Sequence, residues 1–430
     1  MNGNDSSTAG EGIFGGIDPR AFLLALGMFA IGTDAFIIAG VLPEISTSLS
    51  TSVGATGLVV SVFSIAYALG SPVVSSVSAR SQRSTVLVGG LGVFALANLL
   101  SAASPTLVIL LASRILAALS AGLVAPAAYA LASTFGASRN RGKNLAVIAA
   151  GFTSAMVLGV PFGVFLGRYA GWRGSLIFVA VLGTIAAVSM FWAGVPEGQS
   201  QEAAPALRDQ RRVVAKPRTI FALAPFLIWS IANFGLYTFI AAILRRGLPA
   251  TVVPLLLLVF GLGAVAGNLI GGVLSDRFGT RRPMITCLTL LICALAGIEF
   301  TRSSLIAAGV NMIAWGILMA ALFTLQQQRA ILVDPTRPNF LLALNNSALY
   351  LGASIGSAAF GAIISATSLA FVSPISAAAA ALSLAALLFM PPRDQEKPPP
   401  ADTERTSCAH SPSAVVVQKR TAPLTYEVAQ

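Results

Sequence analysis

The sequence predicts an all-α membrane protein of twelve transmembrane helices in two six-helix repeats. Three observations carry that expectation. Of the 430 residues, 56% are hydrophobic and 10% charged, whereas a soluble domain carries about 25% charge. Apolar runs of about 18–26 residues recur along the chain, each long enough to cross a bilayer as a helix. The two halves of the chain also echo one another.

The runs fall at 21–43, 53–77, 84–103, 106–132, 145–167, 174–194, 219–243, 251–274, 284–300, 304–325, 340–366 and 369–390. Residues 1–20 lack a basic region and a small-residue cleavage site, so they read as a cytoplasmic tail and not as a signal peptide. With that tail inside, alternate loops collect 21 of the 27 Lys and Arg residues, while the opposite loops hold only Arg168, Arg173, Arg245, Arg246 and Arg302. That asymmetry obeys the positive-inside rule and puts both termini in the cytoplasm. The net charge of +11 therefore reports topology and calls for no nucleic-acid partner. The polar stretch 196–218 separates a first bundle, 21–195, from a second, 219–390. The tail 391–430, rich in Pro, Ser, Thr and charge, has no apolar face and is expected to be disordered.

Cys287 and Cys293 lie inside an apolar run, and Cys408 lies with His410, the sole histidine, in the tail. No metal or disulfide spacing emerges, and no Walker-type glycine loop occurs. Neither a metal or other cofactor nor ATP is expected, and enzymatic chemistry is excluded with them.

The internal repeat is explicit. Leu158-Gly-Val-Pro-Phe-Gly163 on span 5 returns as Leu351-Gly-Ala-Ser-Ile-Gly356 on span 11, 193 positions later. Gly272-Val-Leu-Ser-Asp-Arg-Phe-Gly-Thr-Arg-Arg282, after span 8, answers a weaker Ser75-Ser-Val-Ser-Ala-Arg-Ser-Gln-Arg83 after span 2, at an offset of 197. Parallel six-helix repeats mark a transporter architecture whose substrate site lies at mid-membrane between the halves.

Those residues carry a resemblance. Gly272 to Arg282 resembles the loop signature of the major facilitator superfamily. Arg114-Ile-Leu-Ala-Ala-Leu-Ser-Ala-Gly122 is similar to its span-4 element. Gly159-Val-Pro-Phe-Gly163 resembles the glycine–proline motif associated with antiporters. Gly32-Thr-Asp-Ala-Phe-Ile-Ile-Ala-Gly-Val-Leu-Pro-Glu-Ile45 and Gly171-Trp-Arg173 are similar to signatures of its bacterial drug:proton antiporter branch. Asn345-Asn-Ser-Ala-Leu-Tyr-Leu-Gly352 resembles span 11 of the arabinose-efflux and purine-efflux-like subgroup. The resemblance covers about residues 20 to 390. It implies the major facilitator fold, a bacterial inner membrane, and export of a small organic molecule or drug against inward proton flow. The proton gradient would be the energy source. The first loop departs from the pattern, with Ala79 where Asp is usual and Gln82 where Gly is usual. This puts a symmetric inner gate in doubt and leaves Asp276 as the retained gate carboxylate.

Asp34 is the chemical oddity of span 1. A carboxylate at bilayer depth costs about 2.5–3.5 kcal/mol on the insertion scale. Counted at 1.5 Å per residue, Asp34 and Arg114 differ in depth by about 4–5 Å, within side-chain reach if spans 1 and 4 are neighbours. Burial disfavours an ionised carboxylate while a guanidinium favours it. A carboxylate held between those effects changes protonation with exposure, which makes Asp34 and Arg114 the proton-coupling candidates. The structural alternative is a static pair that only fixes packing. Glu44 and Glu299 read as solvated groups at the outer rim.

Span 5 carries small residues at Gly151, Ala155, Gly159, Gly163 and Gly167, a flat stripe for close helix approach. Pro161 invites a bend there. Gly159, Pro161 and Gly163 are therefore expected at a sliding contact. In the loop after span 8, Gly272, Asp276, Arg277, Gly279 and Arg281 are expected to form a gate turn. Tyr67, Asn233, Tyr237, Trp315, Asn346 and Tyr350 are the candidate substrate contacts, polar or aromatic groups within apolar spans. One chain supplies both halves, so a monomer in the lipid bilayer suffices. A proton-linked symporter or facilitator importing a sugar or nucleoside would share this fold. A non-transporting membrane sensor would need an output domain, which the forty-residue tail is too short to supply.

Overall fold

The computed structural model describes residues 17–78, 81–135, 140–194, 217–334 and 337–389. Most of the N-terminal tail, Ala79, the central stretch 195–216 and the C-terminal tail from 390 lie outside the described residues.

Helix α1 (Pro19–Ser48) starts where Asp18 caps it, its carboxylate accepting the Arg20 N–H, with Pro19 at the first position. Such a start satisfies orphan amides that a helix cannot satisfy itself. Helices α2 (Leu58–Ser78), α3 (Arg83–Ala103) and α4 (Leu107–Ala132, capped by Thr106) follow. A helical run of 52 residues, Arg141–Trp192, comes next. At 1.5 Å per residue it would be about 78 Å long, far more than the ~30 Å hydrocarbon layer. Gly171, at φ 70° and ψ 169°, breaks it. Residues 141–170 are α5 and 172–192 are α6. Then come α7 (Pro217–Thr238), α8 (Val253–Phe278), α9 (Arg281–Thr301), α10 (Leu305–Val333, capped by Ser304), α11 (Pro338–Ala366) and α12 (Val372–Leu388).

Each expected span coincides with a helix, and the differences are at the ends. Helix α1 runs on through Pro43 to Ser48. Span 7 is interrupted at Phe239 before a short helix, Ile240–Leu244. The expected loop after span 8 is mostly helix. Gly272 to Phe278 continue α8, and only Gly279 and Thr280 turn the chain, Gly279 at φ 69° with its N–H on Ser275 O. A left-handed φ at a helix C-terminus is where glycine escapes the Cβ penalty.

Small residues set the packing. Helices α1 and α5 run side by side, and a Cβ on Gly151, Gly159, Gly163 or Gly167 would strike Ala25, Thr33, Ile37 or Val41 of α1. In the second half Gly263 and Gly267 of α8 lie against the backbone of Ile313 and Ile317 on α10, and Gly352 and Gly356 of α11 against α7. Serines stitch neighbouring helices: Ser376 and Ser383 of α12 donate to Ala232 O and Pro225 O of α7, both at 2.7 Å. The outward faces carry exposed apolar side chains such as Leu69, Phe191, Trp192, Leu269 and Ile306. That surface suits lipid and would aggregate in water.

The two sets of six meet from one end of the bundle to mid-depth. At that end Glu44 pairs with Arg245, Gly54 abuts Gly361, and Gly57 abuts Phe239. Farther in, Ser61 of α2 bonds the Ser354 carbonyl of α11, and the rings of Tyr67 and Tyr350 lie 4.1 Å apart.

Candidate functional site

The centre of the site is the pair that depth alone anticipated. Arg114 reaches across from α4 to α1 and donates Nη1–H to Asp34 Oδ1 at 2.7 Å and Nη2–H to Oδ2 at 3.0 Å. Asp34 is 0% exposed and Arg114 1%. Two parallel bonds to a carboxylate are the strong geometry for guanidinium. The pair is neutral as a unit, which is how two charges tolerate this depth. A proton added to Asp34 would leave Arg114 as a lone positive charge, so the site's net charge follows its protonation.

Two partners of Arg114 were not anticipated. Asn98 of α3 accepts from Nη1 through Oδ1 at 3.3 Å, and the Phe63 ring of α2 lies 4.6 Å from the guanidinium carbon. A lone Asn or Phe in an apolar run gives a sequence reader little to seize on. The one available signal was that Asn98 is the only amide within span 3.

Beside the pair lies a cavity of about 50 Å³ between the two halves. Its walls include Phe36 of α1, Ser64 of α2, Phe152 of α5, Tyr237 of α7 and Tyr350 of α11. Phe36 is its hub, with ring centroids 6.0 Å from Phe152, 6.2 Å from Phe234 and 6.0 Å from Tyr237. It too was missed, since one Phe in a span looks like any other. Tyr350 stands close enough to Asp34, Tyr67 and Tyr129 to interact with all three electrostatically. The cavity wall and the ion pair are therefore in touch.

The remaining expected residues divide. Tyr237 and Tyr350 line the cavity, and Tyr67 stacks on Tyr350. Asn233 and Trp315 do not line it. They bond to each other, Trp315 Nε1–H to Asn233 Oδ1 at 2.7 Å, both 0% exposed, one layer behind Tyr237. Asn346 is exposed and outside the cavity, while its neighbour Asn345 is fully buried with neither amide atom bonded.

The glycine–proline segment of α5 takes an unexpected form. Ala155–Gly159 is a π-turn, with Val160 N–H bonded five residues back to Ala155 O. Proline has no N–H and its ring crowds the preceding turn, and the wider turn just before Pro161 relieves both. Met156 of this turn also touches Gly261 of α8, so the segment lies between the halves. Of the expected gate residues, Asp276, Arg277 and Gly279 are exposed at the far end of α8, Gly272 has open space beside it, and Arg281 donates to Leu388 O at 3.3 Å. Among the described residues Asp276 forms no ion pair, so the expected gate contact is not made here.

Comparison with known proteins bears on the whole chain. The profile of the Major Facilitator Superfamily matches residues 24–331 and, in a second match, 246–425. The inner membrane transport protein YdhP of Escherichia coli (strain K12) is 32% identical over 377 residues, 86% of this chain and 95% of that protein. A chloramphenicol resistance protein of Streptomyces lividans is 34% identical over 262 residues, 60% of this chain and 66% of that protein. Among solved structures, a bacterial homolog of the human lysosomal transporter Spinster, inward-facing and occupied, gives a TM-score of 0.67 at 19% identity, covering 86% of this chain and 93% of that one. The nucleoside transporter NupG gives 0.69 at 14% identity, covering 86% and 99%. At such identities the structural matches speak to the fold alone.

Proposed function

The chain belongs to the Major Facilitator Superfamily, and from that membership we propose a proton-driven exporter of small organic molecules, with Asp34 carrying the proton and Arg114 as its counter-ion. Membership itself makes the protein a multi-pass membrane transporter of the secondary kind and not an enzyme.

One observation carries the proton reading. A fully buried, bidentate carboxylate–guanidinium pair stands against the cavity between the two halves. Apolar replacement of a buried pair is often neutral or stabilising, so stability alone is a poor reason to keep one there. The export reading draws on the glycine–proline segment of α5 and on the relative named for chloramphenicol resistance. The aromatic and hydroxyl-bearing cavity walls suit a neutral or weakly polar compound better than a sugar. At about 50 Å³, the cavity is far below the ~300–1,000 Å³ of a drug-sized site. Room for substrate therefore comes from moving the halves apart.

Positive-inside orientation puts the Glu44 end outside and Asp276 and both termini in the cytoplasm. With Glu44 paired and Asp276 exposed, the described state is closed to the outside. The two six-helix bundles, 21–195 and 219–390, would rock about the contacts at mid-depth.

The test is flux in inverted vesicles under an inside-acid gradient, with a panel of antibiotics, purines and pentoses. Asp34→Asn is expected to abolish gradient-driven uptake while the protein stays folded. Full proton-coupled flux in that variant overturns the reading, and gradient-independent entry of a pentose or nucleoside favours a facilitator instead.

A further inference from the structure

Arg114 has more acceptors around it than its ion pair uses. Beyond the Asp34 carboxylate, Nη1 reaches Asn98 Oδ1 at 3.3 Å and Nη2 reaches the Asp34 main-chain oxygen at 3.4 Å. The Phe63 ring faces the guanidinium carbon at 4.6 Å. All three are neutral, and Asn98 is 0% exposed and Phe63 3%. The Asn98 amide is also fixed in direction. Its Nδ2–H donates to Phe94 O at 3.1 Å, which turns Oδ1 toward Arg114.

A proton that adds to an Asp34 oxygen cancels the carboxylate charge but leaves the guanidinium charged. Removing one partner of a buried pair strands the other, and that is where the heavy cost lies. A carbonyl oxygen and an aromatic face are the neutral groups that stabilise a guanidinium. Building on the proton-coupling reading above, we propose that Asn98 is a positioning residue that, with Phe63 and the Asp34 carbonyl, holds the Arg114 guanidinium while Asp34 is protonated. The proton goes to Asp34, Arg114 keeps its charge throughout, and the cradle lets the ion pair open without stranding that charge.

The identity of the residue fits the task. An aspartate at position 98 would keep Arg114 paired whatever the state of Asp34, and a leucine would offer nothing. The other titratable groups facing the pair are Tyr129 of α4, Tyr67 of α2 and Tyr350 of α11. Helices α3 and α5 bring none within their membrane-crossing stretches. Asn98 is therefore the polar contribution of α3 to this centre.

The test compares pH profiles of gradient-driven flux in proteoliposomes of the full chain. Without the Asn98 carbonyl, Arg114 depends more on the Asp34 carboxylate, and a higher proton concentration is needed to open the pair. Asn98→Ala is expected to move the half-maximal pH about one unit down, a tenfold rise in proton concentration, with substrate KM unchanged. Asn98→Gln restores part of the shift, and Phe63→Leu moves the profile the same way by an independent route. Asn98→Asp flattens it. Wild-type profiles in Asn98→Ala and Phe63→Leu, with Asp34→Asn uncoupled, overturn the cradle and leave the coupling reading intact. Full coupling in Asp34→Asn overturns both.

Discussion

The carboxylate of Glu44 accepts a 2.8 Å bond from Arg245, tying the outer part of α1 to the short helix that follows α7. The two side chains are 28% and 36% exposed, so Glu44 is not the fully solvated rim group its position suggested. A pair this exposed is worth about 0.2–1 kcal/mol, enough to shift two close conformations several-fold. Glu44→Gln and Arg245→Gln are each expected to enrich the outward-open state. Spin labels at Thr47 and Ser368 would show a longer-distance population. The double swap Glu44→Arg with Arg245→Glu should restore the short distance, and failure to do so would count against a charge latch.

Gly159 and Gly163 are spaces, not merely flexible points. Leucine at either position would overlap Thr33 or Ile37 of α1. Overpacking of this kind costs about 1–3 kcal/mol. Gly159→Leu and Gly163→Leu should insert into the membrane and stall flux. Gly92→Leu, where nothing lies within 4 Å, should transport normally. Equal loss in all three would argue that α5 has no special role.

The Trp315–Asn233 bond makes a stability prediction. Trp315→Phe leaves the buried Asn233 oxygen unpaired, at a cost of about 1–3 kcal/mol. Adding Asn233→Leu removes the orphan and should recover part of the loss, since apolar replacement of both partners is far cheaper. Thermal melting in detergent reads both variants. A double mutant less stable than Trp315→Phe would contradict the account.

Stacked rings at Tyr67 and Tyr350 close the gap between the halves beside the cavity. Such contacts add about 0.5–1.5 kcal/mol beyond burial. Tyr350→Ala should change the KM of an exported aromatic compound several-fold, whereas Tyr350→Phe keeps the ring and should stay near wild type. Unchanged KM in Tyr350→Ala would place substrate elsewhere.

Much of this architecture was legible because bilayer thickness imposes a length on every crossing helix. The Asp34–Arg114 meeting was legible for the same reason, since depth along a helix can be counted. What could not be counted was azimuth. Nothing in the sequence separates Phe36, at the hub of the cavity, from other phenylalanines in spans, or turns Asn98 toward Arg114. Asn345 and Asn346 show the same blindness. They are adjacent in sequence, yet one is buried and the other exposed, because a helix rotates by about 100° per residue. Pro161 announced a disturbance in α5 but not its form.

That disturbance has a consequence for how the chain tolerates change in length. On a regular α-helix a four-residue step overshoots a full turn by about 40°, so small residues at 151, 155, 159, 163 and 167 would spiral away from a straight partner. They all remain against α1. The under-wound turn at Ala155–Gly159 takes up part of that drift and serves as a register setting. Deleting a single residue from it would yield an ordinary helix and swing everything up to Gly171 by about 100°. Substitutions along α5 face local tests of fit, whereas a one-codon deletion there would dismantle the whole seam.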